Sequence, residues 1–202
     1  MIKNFDSIEE FKNKDASKDK KSIKKDTKDI IFTPKIAVLG VGGSGTNAIN
    51  NLIKMDLSNI KFLVANTDVK SLDSSSCPNK IRLGLEITKG LGAGSNPEIG
   101  FKAAEQSSEE IAEALEGIDL LFLIAGMGGG TGTGASPVIT KIAKDLGILT
   151  LGFVTKPFDF EGMQRKSFAD QGLAELEKYI DSIIIMSNQN LFKVINETTS
   201  ML

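Results

Sequence analysis

Six short apolar runs, separated by stretches with helical spacing, are the feature that most constrains the fold of this chain. The runs are rich in Ile, Leu and Val, which is typical of strands buried on both faces of a parallel sheet. They occupy residues 35–39, 60–65, 81–85, 119–125, 148–154 and 182–186.

The stretches between these runs carry apolar residues three and four positions apart, as one face of a helix requires. Helices are predicted over residues 47–54, 97–115, 134–146 and 163–179, with Pro97 suited to a first helical turn and Gly147 to a helix end. Strands that alternate with helices predict an α/β fold, with a doubly wound, mainly parallel sheet and helices on both faces.

Residues 1–29 differ in composition, with nine lysines, seven acidic residues and few large apolar groups. Such a segment is predicted to be a disordered charged tail, and residues 30–202 to form the folded domain.

The formal net charge of −2 gives no field that would attract nucleic acid or an anionic membrane. We therefore expect no nucleic-acid partner and no direct membrane insertion, and the lack of an apolar N-terminal segment predicts a cytoplasmic location.

The residue types present also exclude several kinds of chemistry. The chain contains no histidine, so histidine general bases and histidine metal sites are impossible. The single cysteine, Cys77, excludes an internal disulfide and is predicted to be an inert thiol. Function must therefore depend on backbone amides, hydroxyls, side-chain amides, carboxylates, Lys and Arg.

The first glycine loop (residues 40–45, Gly-Val-Gly-Gly-Ser-Gly) follows the first apolar run and opens a predicted helix. In this context the G-x-G-x-x-G pattern predicts a bound nucleotide phosphate, because glycines let backbone N–H groups approach the phosphate at a helix N-terminus. Asp68 follows the second run. In a dinucleotide-binding fold an acidic residue at about this position accepts hydrogen bonds from the ribose hydroxyls. A nicotinamide-dependent oxidoreductase is therefore one hypothesis.

The second glycine loop (residues 126–134) follows the fourth apolar run and contains six glycines together with Thr131 and Thr133. Two glycine loops at one edge of a sheet suit the phosphates of a nucleoside triphosphate better than a nicotinamide. A Walker loop is excluded because no G-x-x-x-x-G-K-[ST] pattern occurs. We expect the loop to be surface exposed, as ligand-binding loops are.

Residues 128–134, Gly-Gly-Gly-Thr-Gly-Thr-Gly, resemble the signature of the tubulin/FtsZ family of GTPases. The resemblance continues in register through residues 41–47, 66–68, 88–97 and 154–158, and it covers residues 35–202. It implies a GTP-binding, filament-forming protein of bacterial cell division, with GTP hydrolysis coupled to polymer turnover. A related cytoskeletal GTPase used in plasmid segregation or cell shape is the alternative within the family.

The resemblance implies a set of residues that bind GTP or GDP. Two glycine segments would hold the phosphates and a third would sense the terminal phosphate and its Mg²⁺, while Glu161 and Arg165 would contact the ribose or phosphates and Asn188 the guanine. The complete set is Gly43, Ser44, Gly45, Thr46, Asn47, Gly92, Ala93, Gly94, Gly130, Thr131, Gly132, Glu161, Arg165 and Asn188. Ser187 and Gln189 flank Asn188 where the family usually has proline and aspartate, so this segment departs from the family pattern.

The resemblance also implies what the chain does not contain. Residues 190–202 would lead into a central helix, and the subdomain beyond it, whose acids polarise the attacking water in a neighbouring subunit, is expected to be absent. No catalytic residue is therefore expected in this chain, and it would hydrolyse GTP slowly or not at all. The resemblance names no metal ligand in it. Expected partners are further subunits, head to tail in filaments at the division site, and division adaptors bound through regions not present here.

Overall fold

The computed structural model of the chain describes residues 33–193. The predicted tail at residues 1–29 and the predicted start of a central helix after residue 193 lie outside the described residues. None of the helices in the described range has the length and apolar character that crossing a bilayer requires.

The described residues form a six-stranded sheet in which every neighbouring pair of strands is parallel. The strand order is β3-β2-β1-β4-β5-β6, so the chain starts in the middle, builds outward to β3, and then crosses back to β4. The predicted doubly wound parallel sheet is confirmed. The strands are β1 (Ile36–Val41), β2 (Ile60–Asn66), β3 (Asn79–Arg82), β4 (Leu120–Gly126), β5 (Leu149–Lys156) and β6 (Ser182–Ser187).

Helices cover both faces of this sheet, as the alternating pattern predicts. On one face Ile49 and Leu72, from the first two helices, pack with Val38 and Val64 of the strands. On the other face residues of the last four helices form a larger core with the central strands. The helices are α1 (Gly42–Ile53), α2 (Val69–Asp73), α3 (Leu85–Thr88), α4 (Pro97–Gln106), α5 (Ser108–Leu115), α6 (Thr131–Asp145) and α7 (Met163–Leu176), with 3₁₀ turns at Asp159–Glu161 and Asn188–Lys193.

Several predicted elements differ from the structure in their bounds. The helices predicted from residues 47 and 134 begin earlier, at Gly42 and Thr131. The strand predicted over residues 81–85 is β3, which begins at Asn79 and ends before Gly84, a residue with a positive φ of 57°. The helix predicted over residues 97–115 is two helices, α4 and α5, which meet at Ser107. The Ser107 hydroxyl accepts a hydrogen bond from the Gly84 N–H at 3.0 Å, so this residue ties the break between the helices to the end of β3.

The strand predicted at residues 182–186 is present as β6, but the prediction that it is buried on both faces is wrong. Ile184 is 52% exposed and Met186 is 48% exposed. Because β6 is at the edge of the sheet and pairs only with β5 within the described chain, its apolar side chains are not covered there.

Cys77 is buried in the smaller core, beside Val64 and Leu72. Burial is the largest influence on the pKa of its thiol and raises it, which keeps the thiol protonated at neutral pH, while a backbone hydrogen bond of Asn79 and the charge of Lys80 act in the opposite direction. The raised pKa and the burial together leave a group with little thiolate and little solvent access, which supports the interpretation of Cys77 as an inert thiol.

Helices α4 and α6 approach each other backbone to backbone, and this contact holds the start of α6 in place. A Cβ atom at Gly134 would overlap the Pro97 carbonyl oxygen and lie 2.6 Å from the Phe101 nitrogen. A Cβ atom at Gly100 would likewise overlap the Gly130 carbonyl oxygen. The second glycine loop is therefore fixed against α4 through contacts that no larger residue permits.

Replacement of Gly134 by alanine is predicted to destabilise the fold by about 1–3 kcal/mol, because the added methyl group must push α4 away from α6. The free energy of unfolding, measured by urea denaturation, checks this prediction. Gly129→Ala is the matched control, because a Cβ atom at Gly129 meets nothing within 4 Å. Equal unfolding midpoints for the two variants would contradict the packing argument.

Candidate functional site

A cavity of about 270 Å³ opens at the carboxyl edge of the sheet, beside the ends of β1, β4 and β5. This is the point at which the strand order reverses, where open α/β sheets bind their ligands. The cavity is lined by both glycine loops and by the segments that follow β5 and β6. Its residues are Val41, Gly42, Gly43, Ser44, Gly126, Met127, Gly129, Gly130, Thr131, Gly132, Thr155, Pro157, Glu161, Arg165 and Asn188.

A larger cavity, of about 570 Å³, lies between α4, α6 and α7. Its lining includes apolar side chains such as Phe101, Val138 and Phe168, together with four carboxylates and one lysine, a charge balance that disfavours a phosphate. Only the last two residues of the second glycine loop, Thr133 and Gly134, reach this cavity, and none of the first loop does. The smaller cavity is therefore the better candidate for a ligand that carries phosphates.

The N-termini of α1 and α6 both lie at this smaller cavity. Neither N-cap residue, Val41 for α1 and Gly130 for α6, caps its helix with a side chain, and neither first turn contains an acidic residue. The first N–H groups of a helix have no partner inside the helix and carry partial positive charge. Two such termini at one cavity form a site suited to an anion.

The two glycine loops touch each other across the cavity floor. Gly42 has a φ of 71°, and a Cβ atom there would lie 2.9 Å from the Gly132 nitrogen. A Cβ atom at Gly132 would in turn overlap the Gly126 carbonyl oxygen. Gly132 is buried, so the expectation that this loop is surface exposed is wrong at this position. The loops meet because neither carries side chains at these points.

Two hydroxyl groups flank Gly126 at the cavity wall. A Cβ atom at Gly126 would lie 2.6 Å from the Ser44 Oγ and 3.5 Å from the Thr155 Oγ1. Neither hydroxyl has a hydrogen-bond partner within residues 33–193, and both side chains line the cavity. They are therefore available to a ligand.

The opposite rim of the cavity is formed by charged and amide side chains. Glu161 accepts hydrogen bonds from the Phe158 N–H at 2.8 Å and from the Arg165 Nη1 at 2.5 Å. This ion pair is partly exposed, with 49% of the Arg165 side chain accessible, so it is open to exchange with a ligand. Asn188 begins the 3₁₀ turn after β6 and adds an amide that both donates and accepts.

The structure brings eight of the fourteen residues implied by the family resemblance to this cavity. They come from four separate segments of the chain: the first glycine loop, the second glycine loop, the start of α7 with the turn before it, and the turn after β6. The eight are Gly43, Ser44, Gly130, Thr131, Gly132, Glu161, Arg165 and Asn188. Their contact with a nucleotide stays a prediction.

Three further predicted residues, Gly45, Thr46 and Asn47, lie in α1 and do not line the cavity. A Cβ atom at Gly45 would lie 2.5 Å from the Ile124 carbonyl oxygen, so this glycine allows α1 to pack on β4. Thr46 is buried, and its hydroxyl donates to the Gly42 carbonyl oxygen at 2.9 Å. The side chain of Thr46 therefore bonds within its own helix.

The predicted segment Gly92, Ala93 and Gly94 lies behind the second glycine loop rather than in the cavity. Ala93 is buried, and a Cβ atom at Gly130 would lie 2.8 Å from the Ala93 Cβ. Gly92 donates its N–H to the Thr67 carbonyl oxygen at 3.1 Å. Ala93 therefore packs against the second glycine loop. Contact of this segment with a terminal phosphate stays a prediction.

Seven lining residues are absent from the sequence-based set: Val41, Gly42, Gly126, Met127, Gly129, Thr155 and Pro157. All seven lie within four residues of the end of an apolar run, and Gly126 and Met127 precede the motif at residues 128–134. Their position at a strand end was the available signal, because the carboxyl ends of parallel strands meet at one edge. Across residues 33–193 no three His, Cys, Asp or Glu side chains group closely enough to hold a metal ion.

The model of the Tubulin/FtsZ family, GTPase domain, matches residues 35–196. The cell division protein FtsZ of Rickettsia felis is 55% identical over 171 residues, which are 85% of this chain and 38% of that protein. FtsZ of Caulobacter vibrioides is 54% identical over 167 residues, which are 83% of this chain and 33% of that protein.

The fold agrees with solved structures of the same family. An FtsZ dimer from M. jannaschii superposes with a TM-score of 0.81 at 39% identity, over 84% of this chain and 49% of that chain. The chain thus spans about half of the solved chain and about a third of the two bacterial relatives. A nicotinamide-dependent oxidoreductase is no longer a candidate, because the chain belongs to the tubulin/FtsZ family and contains residues of its GTPase domain.

Proposed function

We propose that the cavity at the carboxyl edge of the sheet binds GTP or GDP, with the phosphates between the two glycine loops. The observation that carries the proposal is the meeting of two helix N-termini, at Gly42 and Thr131, neither capped by a side chain and neither followed by an acid in its first turn. Unpaired N–H groups from both sides would surround the phosphates. The domain predicted over residues 30–202 would serve as the nucleotide-binding domain.

The rim opposite the loops would hold the nucleoside. Glu161 would accept hydrogen bonds from ribose hydroxyls, and Arg165 would exchange its bond with Glu161 for one with the ribose or a phosphate. The Asn188 amide offers both a donor and an acceptor to the guanine edge. A site built on such groups rejects adenine, whose edge would leave them unpaired.

Mg²⁺ would enter with the nucleotide. The described residues offer no cluster of three ligands of their own, so the ion would be held mainly by phosphate oxygens and water, as Mg²⁺ at nucleotide sites commonly is. When bound, it would neutralise charge that develops on the phosphates during hydrolysis.

Hydrolysis by this chain alone is proposed to be slow. Phosphoryl transfer to water needs positioned phosphates and a group that orients the water, and no carboxylate other than Glu161 lines the cavity within the described residues. Asp68, a carboxylate that follows β2, does not line the cavity and caps α2 by accepting from the Ser71 N–H at 3.2 Å. The water-orienting group would come from outside residues 33–193, through assembly with further subunits.

The biological role that fits this chemistry is bacterial cell division. We propose head-to-tail filaments in the cytoplasm at the division site, with turnover coupled to GTP hydrolysis and with adaptors bound through other regions. The curated relatives are cell division proteins at 54–55% identity, and the M. jannaschii relative was solved as a dimer. These findings favour division over plasmid segregation or cell shape.

A nucleotide competition experiment tests the proposed function. GDP and GTP are expected to displace a fluorescent GDP analogue from the chain, whereas ATP and NADH should require at least about 100-fold higher concentration, because they leave the base-reading groups unpaired. Displacement by NADH or ATP at the concentrations effective for GDP would contradict the proposed site. The full chain is used throughout.

The two arginines of the chain provide a matched pair of variants. Arg165→Ala is predicted to weaken GDP binding about 10-fold or more, since it removes a charged hydrogen-bond donor from the cavity rim. Arg82→Ala is the control, because Arg82 is also about half exposed and ion-paired, with Asp73 at 3.6 Å, but does not line the cavity. Equal GDP affinities for the two variants, measured by titration calorimetry, would refute the role of Arg165.

A further inference from the structure

Thr67 is a buried residue directly after β2, and its backbone is held on both sides. Its N–H donates to the Asn66 Oδ1 at 2.9 Å, and its carbonyl oxygen accepts from the Gly92 N–H at 3.1 Å and the Thr88 hydroxyl at 3.3 Å. Only 1% of the residue is exposed. Thr67 is therefore fixed in position, and it does not line the cavity.

The side chain of Thr67 nevertheless reaches a residue that does line the cavity. The Thr67 Oγ1 lies 2.7 Å from the Oγ1 of Thr131, the first residue of α6. Either oxygen is able to act as the donor at this distance. Within residues 33–193, Thr131 is the one hydrogen-bond partner of the Thr67 hydroxyl.

The environment of Thr67 decides which hydroxyl donates. Each hydroxyl has one proton. If Thr131 donated to Thr67, the Thr67 proton would be left in a buried site with no acceptor among the described residues and no access to water. A buried unpaired donor is costly, so Thr67 donates and Thr131 accepts. The Thr131 proton is then free to point into the cavity.

We propose that Thr67 is a positioning residue that makes the Thr131 hydroxyl a donor to a phosphate of the bound nucleotide. This inference rests on the proposed function of the cavity. A hydroxyl that already accepts one hydrogen bond is a stronger donor to the next group, because the two bonds polarise each other. Thr67 thereby improves phosphate binding without touching the ligand.

The experiment compares Thr67→Val, which keeps the shape and removes the hydroxyl, with Thr67→Ser, which keeps the hydroxyl. GDP and guanosine are both tested, by competition with a fluorescent GDP analogue, because guanosine has no phosphate. Thr67→Val is expected to weaken GDP binding about five-fold while guanosine binding stays unchanged. Thr67→Ser is expected to restore GDP binding to that of the unaltered chain.

A double-mutant cycle with Thr131→Val separates positioning from a general structural effect. The combined variant is expected to bind GDP no more weakly than Thr131→Val alone, because Thr67 acts only through the Thr131 hydroxyl. Additive losses, an equal loss for guanosine, or unchanged GDP binding in Thr67→Val would each overturn the inference. If Thr67→Val fails to fold, as judged by circular dichroism, Thr67→Ala takes its place in the cycle.

The same measurements distinguish failure of this inference from failure of the proposed function. Binding of GDP by the unaltered chain, with no difference between the valine and serine variants, would overturn the role of Thr67 alone. Absence of GDP binding by the unaltered chain would overturn both.

Discussion

The contact between Gly42 and Gly132 is the constraint on which the candidate site depends. It brings together two loops that follow the neighbouring strands β1 and β4, and it leaves the N-termini of α1 and α6 at one cavity. A side chain at Gly42 would lie 2.9 Å from the Gly132 nitrogen and force the loops apart. The first N–H groups of two helices would then no longer face one ligand.

The rest of the fold holds this contact in place. Helix α4 packs on α6 through Gly100 and Gly134, and Ala93 packs against Gly130 of the second glycine loop. The apolar core beneath both loops places the ends of β1 and β4 side by side, because their parallel register pairs Val41 with Ala125. The proposed phosphate binding therefore depends on backbone geometry, while Glu161, Arg165 and Asn188 are proposed to select the nucleoside.

Much of the fold follows from the sequence pattern, because short apolar runs with few polar residues have few alternatives to buried strands. The pattern misplaces β3, whose polar residues Asn79 and Lys80 join the sheet through the backbone, and the Asn79 side chain donates to the Phe62 carbonyl oxygen at 2.8 Å. Burial of β6 was wrongly predicted because hydropathy does not reveal which strand is at the edge.

Within the site, the motifs indicate which segments meet but not which residues face the ligand. Thr46 turns back onto its own helix, and Thr67 acts from a buried position that no spacing rule identifies.

A structure of the chain with bound GDP tests the central claim most directly. We expect N–H groups of both loops, from Gly43 on one side and from Gly130 to Gly132 on the other, to lie within hydrogen-bond distance of phosphate oxygens. The guanine should then lie toward Asn188. A phosphate group contacted by one loop only, or a nucleotide bound between α4, α6 and α7, would contradict the account.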